Sequence, residues 1–145
     1  MNILDIFLNS LLLIITFNHD LWEIIILSLY VSFIALIIGS VLGLLFGYYL
    51  ALKVFIFKNL ILIIVNSLMG IPPVVVGLIV YFIFASGGPL GIFELLYSPT
   101  AMIIAQIIII FPIVASISHE IFFKNWQEFK DEFRSLNMPY FGIAK

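Results

Sequence analysis

The chain has 145 residues, 64% of them hydrophobic and 10% charged, with a mean hydropathy of +1.29. A soluble domain carries about 45–50% apolar and about 25% charged residues, and a globule this small has too much surface for its volume to hide such an excess. Composition therefore excludes an ordinary soluble enzyme and a disordered chain. Six Lys and Arg are too few to track nucleic-acid phosphates, and with no cysteine there is no disulfide framework and no Cys-based metal or thiolate chemistry.

In chain order, residues 1–19 come first. Ile6–Asn18 runs without charge for only 13 residues and is interrupted by Asn9, Ser10 and Thr16. That is short for a span, which needs about 20 apolar residues. The expectation is a helix lying in the membrane interface, with a short fourth span as the alternative. No Lys or Arg precedes Lys53, so the positive region of a secretory signal is missing.

Three longer runs follow. There are 29 uncharged residues between Glu23 and Lys53, 35 between Lys58 and Glu94, and 25 between Glu94 and Glu120. They predict spans over about Ile24–Leu50, Leu60–Phe84 and Thr100–Ser118. Backbone groups in lipid must be satisfied within the segment, so helix is the expected state; the runs lack the alternating polar period of a barrel strand. All six cations lie after the first span (Lys53, Lys58) or after the third (Lys124, Lys130, Arg134, Lys145). By the positive-inside rule both groups are cytoplasmic, leaving Asp5, Asp20, Glu23 and Glu94 outside.

Within the first span Gly39, Gly43 and Gly47 form a small-residue stripe, read as a helix-packing face. In the second, Pro72 and Pro73 lack N–H groups, so the carbonyls of Leu68 and Met69 lose their helical partners and a kink is expected near Met69–Gly70. Such a break either aids packing or borders a translocation path. Ser86-Gly87-Gly88-Pro89 predicts a turn in which the glycines supply positive φ. A short helical turn is expected over Ile92–Tyr97. Ser98 reads as an N-cap with Pro99 at the first helical position. Pro112 should kink the third span, and Gln106, the most polar side chain within it, should face protein or water.

Residues 120–145 hold eight of the 14 charged residues. Phe122, Trp126, Phe129, Phe133 and Leu136 recur at helical spacing on one face, and Asn137 is a tolerable stop. The helix either lies on the membrane or docks a soluble partner. Its mixed charge favours docking over the Lys/Arg bias that anionic lipid selects.

No Asp, Glu, Lys, Arg or His lies in 24–52, 59–93 or 95–118. A proton-coupled carrier needs such a relay, so the energy source is expected on a separate ATPase. The chain has no phosphate-cradling Gly-rich Lys motif, no nucleophile–base pair and no metal-ligand cluster, and no cofactor is expected. His19 and His119 fall near opposite membrane faces.

The stretch Asn66-Ser67-Leu68-Met69-Gly70-Ile71-Pro72-Pro73-Val74-Val75-Val76-Gly77-Leu78 resembles the second core helix of permeases of binding-protein-dependent ABC importers, most closely the tungstate branch related to molybdate permeases. Ser86–Gly91, Leu96–Gln106 and Pro112–Ala115 continue the resemblance, which covers about Asp20 to Asn137. It implies an all-α membrane protein with a partial type I ABC importer permease core. Three transmembrane helices would occupy a core over 20–118, preceded by the interfacial or short spanning helix of 1–19. A cytoplasmic amphipathic coupling segment would occupy 119–145.

The family's Glu-Ala-Ala coupling signature would fall at Asp131-Glu132-Phe133-Arg134-Ser135-Leu136-Asn137. Asp131 stands there for the Glu, Glu132 and Phe133 for the alanines, and Asn137 for the glycine. The family continues through about two more spans, so the resemblance implies a truncated form. Implied partners are a cytoplasmic ATPase subunit, an extracytoplasmic substrate-binding protein, a second permease subunit in a homodimer, and membrane lipid, with no nucleic acid. Asn66, Ser67, Gly70, Pro72, Pro73 and Gln106 would border the path or its gate. Trp126, Phe129, Phe133 and Leu136 would anchor the ATPase, with Asp131, Glu132 and Arg134 at the rim. The substrate would be an oxyanion, tungstate above all, imported through the cell membrane; molybdate, sulfate or another small solute is the alternative, and a non-transporting vestigial or regulatory fragment is the rival of another class. The chain itself would not be an enzyme.

Overall fold

The computed structural model describes residues 19–135, together with Leu4, Ile6, Phe7, Leu12, Leu13 and Thr16; for 130–135 it describes the backbone. The expectation for residues 1–18 as an element lies outside the described residues. So do Leu136 and Asn137.

From His19 onward the described chain is helical, without strands: α1 (His19–Leu52), α2 (Lys58–Met69), α3 (Pro73–Phe84), a 3-10 turn (Gly91–Phe93) and α4 (Pro99–Ser135). Helix α1 has 34 residues and α4 has 37. Both are long and apolar enough to cross a membrane; α2 and α3 reach that length only as a pair, and the pair is bent by 100°. The kink expected near Met69–Gly70 is thus a full break. Gly70 and Ile71 turn their N–H groups back to Ser67 O and Leu68 O, at 3.1 Å each. These tightened bonds give the Leu68 carbonyl the partner that Pro72 cannot supply. Helix α3 then starts afresh with Pro73 in its first turn, where a missing N–H costs nothing.

Helices α1 and α4 form the body of the fold. The buried residues Val31, Ala35, Gly39, Gly43, Gly47 and Ala51 recur every four positions along α1. Opposite them, α4 buries Ala115 and Ser118. Small residues on both sides let the two backbones approach closely. Rings close the flanks: Phe46 meets Phe111 and Tyr48 meets Phe122, each at 5.4 Å between centroids. A second, smaller core joins α3 to the start of α4, through Val76, Val80 and Phe84 against Ala101.

Most remaining apolar side chains point outward, among them Phe33, Leu45, Ile63 and Val74. In water that surface would cost about 25 cal/mol per Å²; against hydrocarbon it costs nothing.

The connection from α3 to α4 corrects two expectations. No described glycine has positive φ. Gly88 and Gly91 serve by having no side chain: a Cβ on Gly88 would collide with the carbonyl oxygens of Phe82 and Ile83, and one on Gly91 with that of Ala85. The left-handed positions fall instead on Glu94 (φ 50°) and Tyr97 (φ 64°). The helical turn is shorter than Ile92–Tyr97 and one residue earlier, at Gly91–Phe93, because Glu94 leaves the helical region. The N-cap expectation holds: Ser98 Oγ accepts from Ala101 N at 3.3 Å while donating to Leu95 O at 2.6 Å.

Helix α4 passes through Pro112 without interruption and runs on to Ser135. Between Ile113 and Ser135 there is no Gly or Pro, so nothing in the backbone separates the apolar stretch from the charged one.

Candidate functional site

The break between α2 and α3 lies against the N-terminal half of α4. A groove of about 240 Å³ occupies the junction, lined by Leu68, Met69 and Ile71 at the break, Val76 on α3, Leu42 on α1 and Ile107–Ile109, Phe111 and Pro112 on α4. Its lining residues are all apolar; Pro112 is one of them, and Leu68, Met69 and Ile71 bring the edge of the break to it. None of the six residues expected along a path lines this groove.

Five of those six lie on the exposed surface of the broken pair: Asn66, Ser67, Gly70, Pro72 and Pro73. Ser67 Oγ donates to Ile63 O at 2.8 Å, one turn back in its own helix. Asn66 Oδ1 accepts a 2.6 Å hydrogen bond from Ser116 Oγ on α4, 50 residues away in sequence. Gln106 sits half-buried on α4, ten residues before Ser116. Ser116 is a polar contact that sequence reasoning missed. Its only signal was a hydroxyl inside an apolar run, and no local pattern links it to Asn66.

A second missed cluster lies where α2 begins. Lys58 Nζ stands 5.3 Å from the centroid of the Phe123 ring, within the range of a cation–π contact. The same ammonium donates to Ala51 O at 3.4 Å, in the last turn of α1, where carbonyls lack helical partners. His119 stacks on Phe123 at 5.7 Å with 17° between the planes. The turn from α1 to α2 is thereby fastened to α4.

Of the expected docking anchors, Trp126 is half-buried and Phe129 exposed. Asp131, Glu132, Phe133 and Arg134 lie on the described backbone of α4, and Leu136 and Asn137 lie beyond it. Among the described residues no group of three or more His, Cys, Asp or Glu is placed to hold a metal ion.

Two long apolar helices flanking a broken pair define a multi-pass, all-helical membrane protein. No family model matches the chain, and no solved structure does. Curated proteins do. The chain is 37% identical over 109 residues to a tungstate uptake system permease protein of Peptoclostridium acidaminophilum, covering 75% of this chain and 48% of that protein. It is 41% identical over 91 residues to a protein of Haloferax volcanii described as "Probable anion ABC transporter permease protein", covering 63% and 39%. A tungstate uptake system permease protein of Campylobacter jejuni is 43% identical over 60 residues, 41% of this chain and 25% of that one. The chain is related by sequence to ABC-transporter permeases of the tungstate-uptake type. It spans about half the length, or less, of these relatives.

Proposed function

We propose that this chain is a membrane-embedded permease subunit of a binding-protein-dependent ABC importer that carries an oxyanion, tungstate first, into the cell. The observation that carries the reading is the 37% identity over 109 residues to a tungstate uptake permease. In this reading α1, the broken pair α2–α3 and α4 make three crossings of the cell membrane, with exposed apolar faces toward lipid. Lys53 and Lys58, like Lys124, Lys130 and Arg134, lie on the cytoplasmic side. The core then ends near Ser118, and the coupling segment of 119–145 continues α4 into the cytoplasm.

The break at Gly70–Pro72 serves as the discontinuous helix beside a path, bordered by Asn66, Ser67, Gly70, Pro72, Pro73 and Gln106 and completed by a second permease subunit. Residues 59–118 contain no Lys or Arg. An anion there meets amide and hydroxyl dipoles rather than fixed cations. Selectivity then rests mainly with the external binding protein, and the membrane path discriminates weakly.

The tail supplies the contact with a cytoplasmic ATPase subunit, which carries out the hydrolysis; the chain itself is no enzyme and needs no cofactor. Trp126, Phe129, Phe133 and Leu136 form the apolar ridge, Asp131, Glu132 and Arg134 its rim, and Asn137 its end. Aromatic anchors of this kind dominate interface energetics.

Two measurements test the reading. Cells expressing the system should accumulate labelled tungstate, and molybdate when a molybdate-specific binding protein is supplied; strict refusal of molybdate there contradicts the weak-path statement. The ATPase subunit should co-purify with the wild-type chain and be lost with Phe133→Asp, while membrane insertion persists. Retention of the ATPase by that variant defeats the docking assignment.

A further inference from the structure

Pro112 divides α4 into two stretches, and each carries a different half of the broken pair. The N-terminal stretch packs on α3: Ala101, Ile104, Ala105 and Ile109 lie against Val76, Val80 and Phe84. The C-terminal stretch holds α2 at two points. Near the start of α2, Lys58 lies over the Phe123 ring; near its end, Asn66 bonds to Ser116. The spacings agree. Residues 58 to 66 cover about 12 Å of helix and 116 to 123 about 10.5 Å, and the two helices run in opposite directions. Two contacts of matching separation fix both the position and the rotation of α2 on α4. The 2.6 Å bond joins side chains of two different helices, a kind of contact that holds neighbouring helices together in a membrane.

We propose that Lys58–Phe123 and Asn66–Ser116 form a two-point clamp that makes α2 move as one body with the C-terminal stretch of α4. The hinge then runs through Gly70–Pro72 on one side and Pro112 on the other. At the first the helix is broken outright; at the second α4 stays helical but Pro112 supplies no N–H to the hydrogen-bond ladder. The 240 Å³ groove lies between the two bodies and changes shape as they move. Helix α1 crosses the hinge line at Gly43, whose lack of a side chain leaves room beside Phe111 and Val114, while Phe46 touches the Phe111 ring from the flank. Lys58, Phe123, Asn66 and Ser116 are positioning residues. Movement of the α4 tail is passed to α2 and turned, at the break, into displacement relative to α3. That the tail is moved by an ATPase subunit rests on the function proposed above; the division into two bodies does not.

The chain has no cysteine, so pairs of spin labels can be placed without background. Exposed positions serve: Ile63→Cys with Ile117→Cys within the clamped body, Leu78→Cys with Met102→Cys within the other, and Ile63→Cys with Leu78→Cys across the hinge. Distances are read by pulsed electron paramagnetic resonance on the full chain in lipid nanodiscs. The expected result is a narrow distribution for each pair within a body. Combining Phe123→Leu with Ser116→Ala should broaden the Ile63–Ile117 distribution, and replacing Phe123→Leu by Phe123→Tyr should restore part of the narrowing. A Leu45→Cys with Ile117→Cys pair, reporting α1 against α4, should stay narrow and thus exclude unfolding.

Adding the ATPase subunit with nucleotide should shift the mean of the cross-hinge pair and leave the pairs within each body in place. An unchanged Ile63–Ile117 distribution in the double variant overturns the clamp. An unchanged cross-hinge distance with the ATPase subunit bound overturns the hinge. Failure of the wild-type chain to bind the ATPase subunit counts instead against the proposed function, and the variant comparison still decides the clamp.

Discussion

A side chain on Gly47 would place its Cβ 2.6 Å from the carbonyl oxygen of Ala115 and 2.9 Å from the backbone nitrogen of His119. Backbone atoms cannot rotate aside, so Gly47→Ala must push α1 and α4 apart. At Gly39 the nearest atoms belong to the Ile110 side chain, at 2.9 and 3.0 Å, and the nearest backbone atom is 3.8 Å away, so a smaller displacement relieves the contact. Gly47→Ala should therefore lower thermal stability more than Gly39→Ala. Overpacking of this kind costs about 1–3 kcal/mol. Gly77→Ala, with nothing within 4 Å of the added atom, should be neutral or slightly stabilising. Unfolding midpoints in one detergent check the order, and equal losses at Gly47 and Gly39 would contradict it.

The 100° bend between α2 and α3 follows from two missing donors. Pro72→Ala together with Pro73→Ala returns N–H groups at both positions, and Leu68 O and Met69 O can again accept in the α-helical pattern. The pair should straighten toward a single helix. The separation of Ile63 and Leu78, 15 residues apart, would then approach about 22 Å along the helix axis. An unaltered label distance in this double variant would show that tertiary packing, not the prolines, holds the bend.

Whether the broken pair crosses the membrane or re-enters on its own side is decided at Gly87, an open position with nothing within 4 Å of an added Cβ. In the proposed topology Gly87→Cys reacts with a membrane-impermeant maleimide on intact cells. Protection in intact cells, with labelling only after lysis, would place this loop on the same side as Lys58 and turn the pair into a re-entrant hairpin.

Ser98 makes two contacts that start α4, one accepted from Ala101 N and one donated to Leu95 O. Ser98→Ala should cost about 0.5–2 kcal/mol, visible as a lowered unfolding midpoint. Ser98→Asp keeps the acceptor and loses only the donation, so its midpoint should lie between those of the wild type and Ser98→Ala. An unchanged midpoint for Ser98→Ala would remove the cap from the account.

Much of this molecule could be read along the chain because its strongest determinants are local. Long apolar runs give α1 and α4, the Pro72–Pro73 pair gives the break, and Ser98-Pro99 gives a helix start. The glycine spacing at 39, 43 and 47 announced a packing face. Sequence could not name Ala115 and Ser118 as its partners, since those contacts depend on how two distant helices meet. The family resemblance sets Asn66 beside a path, yet its bond to Ser116 spans 50 residues and has no local signature. The loop glycines were assigned to positive φ, their commonest use; at Gly88 and Gly91 the demand is for room beside neighbouring carbonyls. The separation of core and tail at residue 118 followed from a shift in composition, but the backbone registers only Gly, Pro and caps, and none of these interrupts α4 there.

That continuity has a mechanical consequence. At 1.5 Å per residue α4 measures about 55 Å, while the hydrocarbon layer is about 30 Å thick. The stretch from Pro112 to Ser135 is about 35 Å long, so a tilt of about 10° about the proline swings its far end by about 6 Å. A small rotation at Pro112 and a stroke several ångströms wide at the far end of the helix are thus two ends of the same lever.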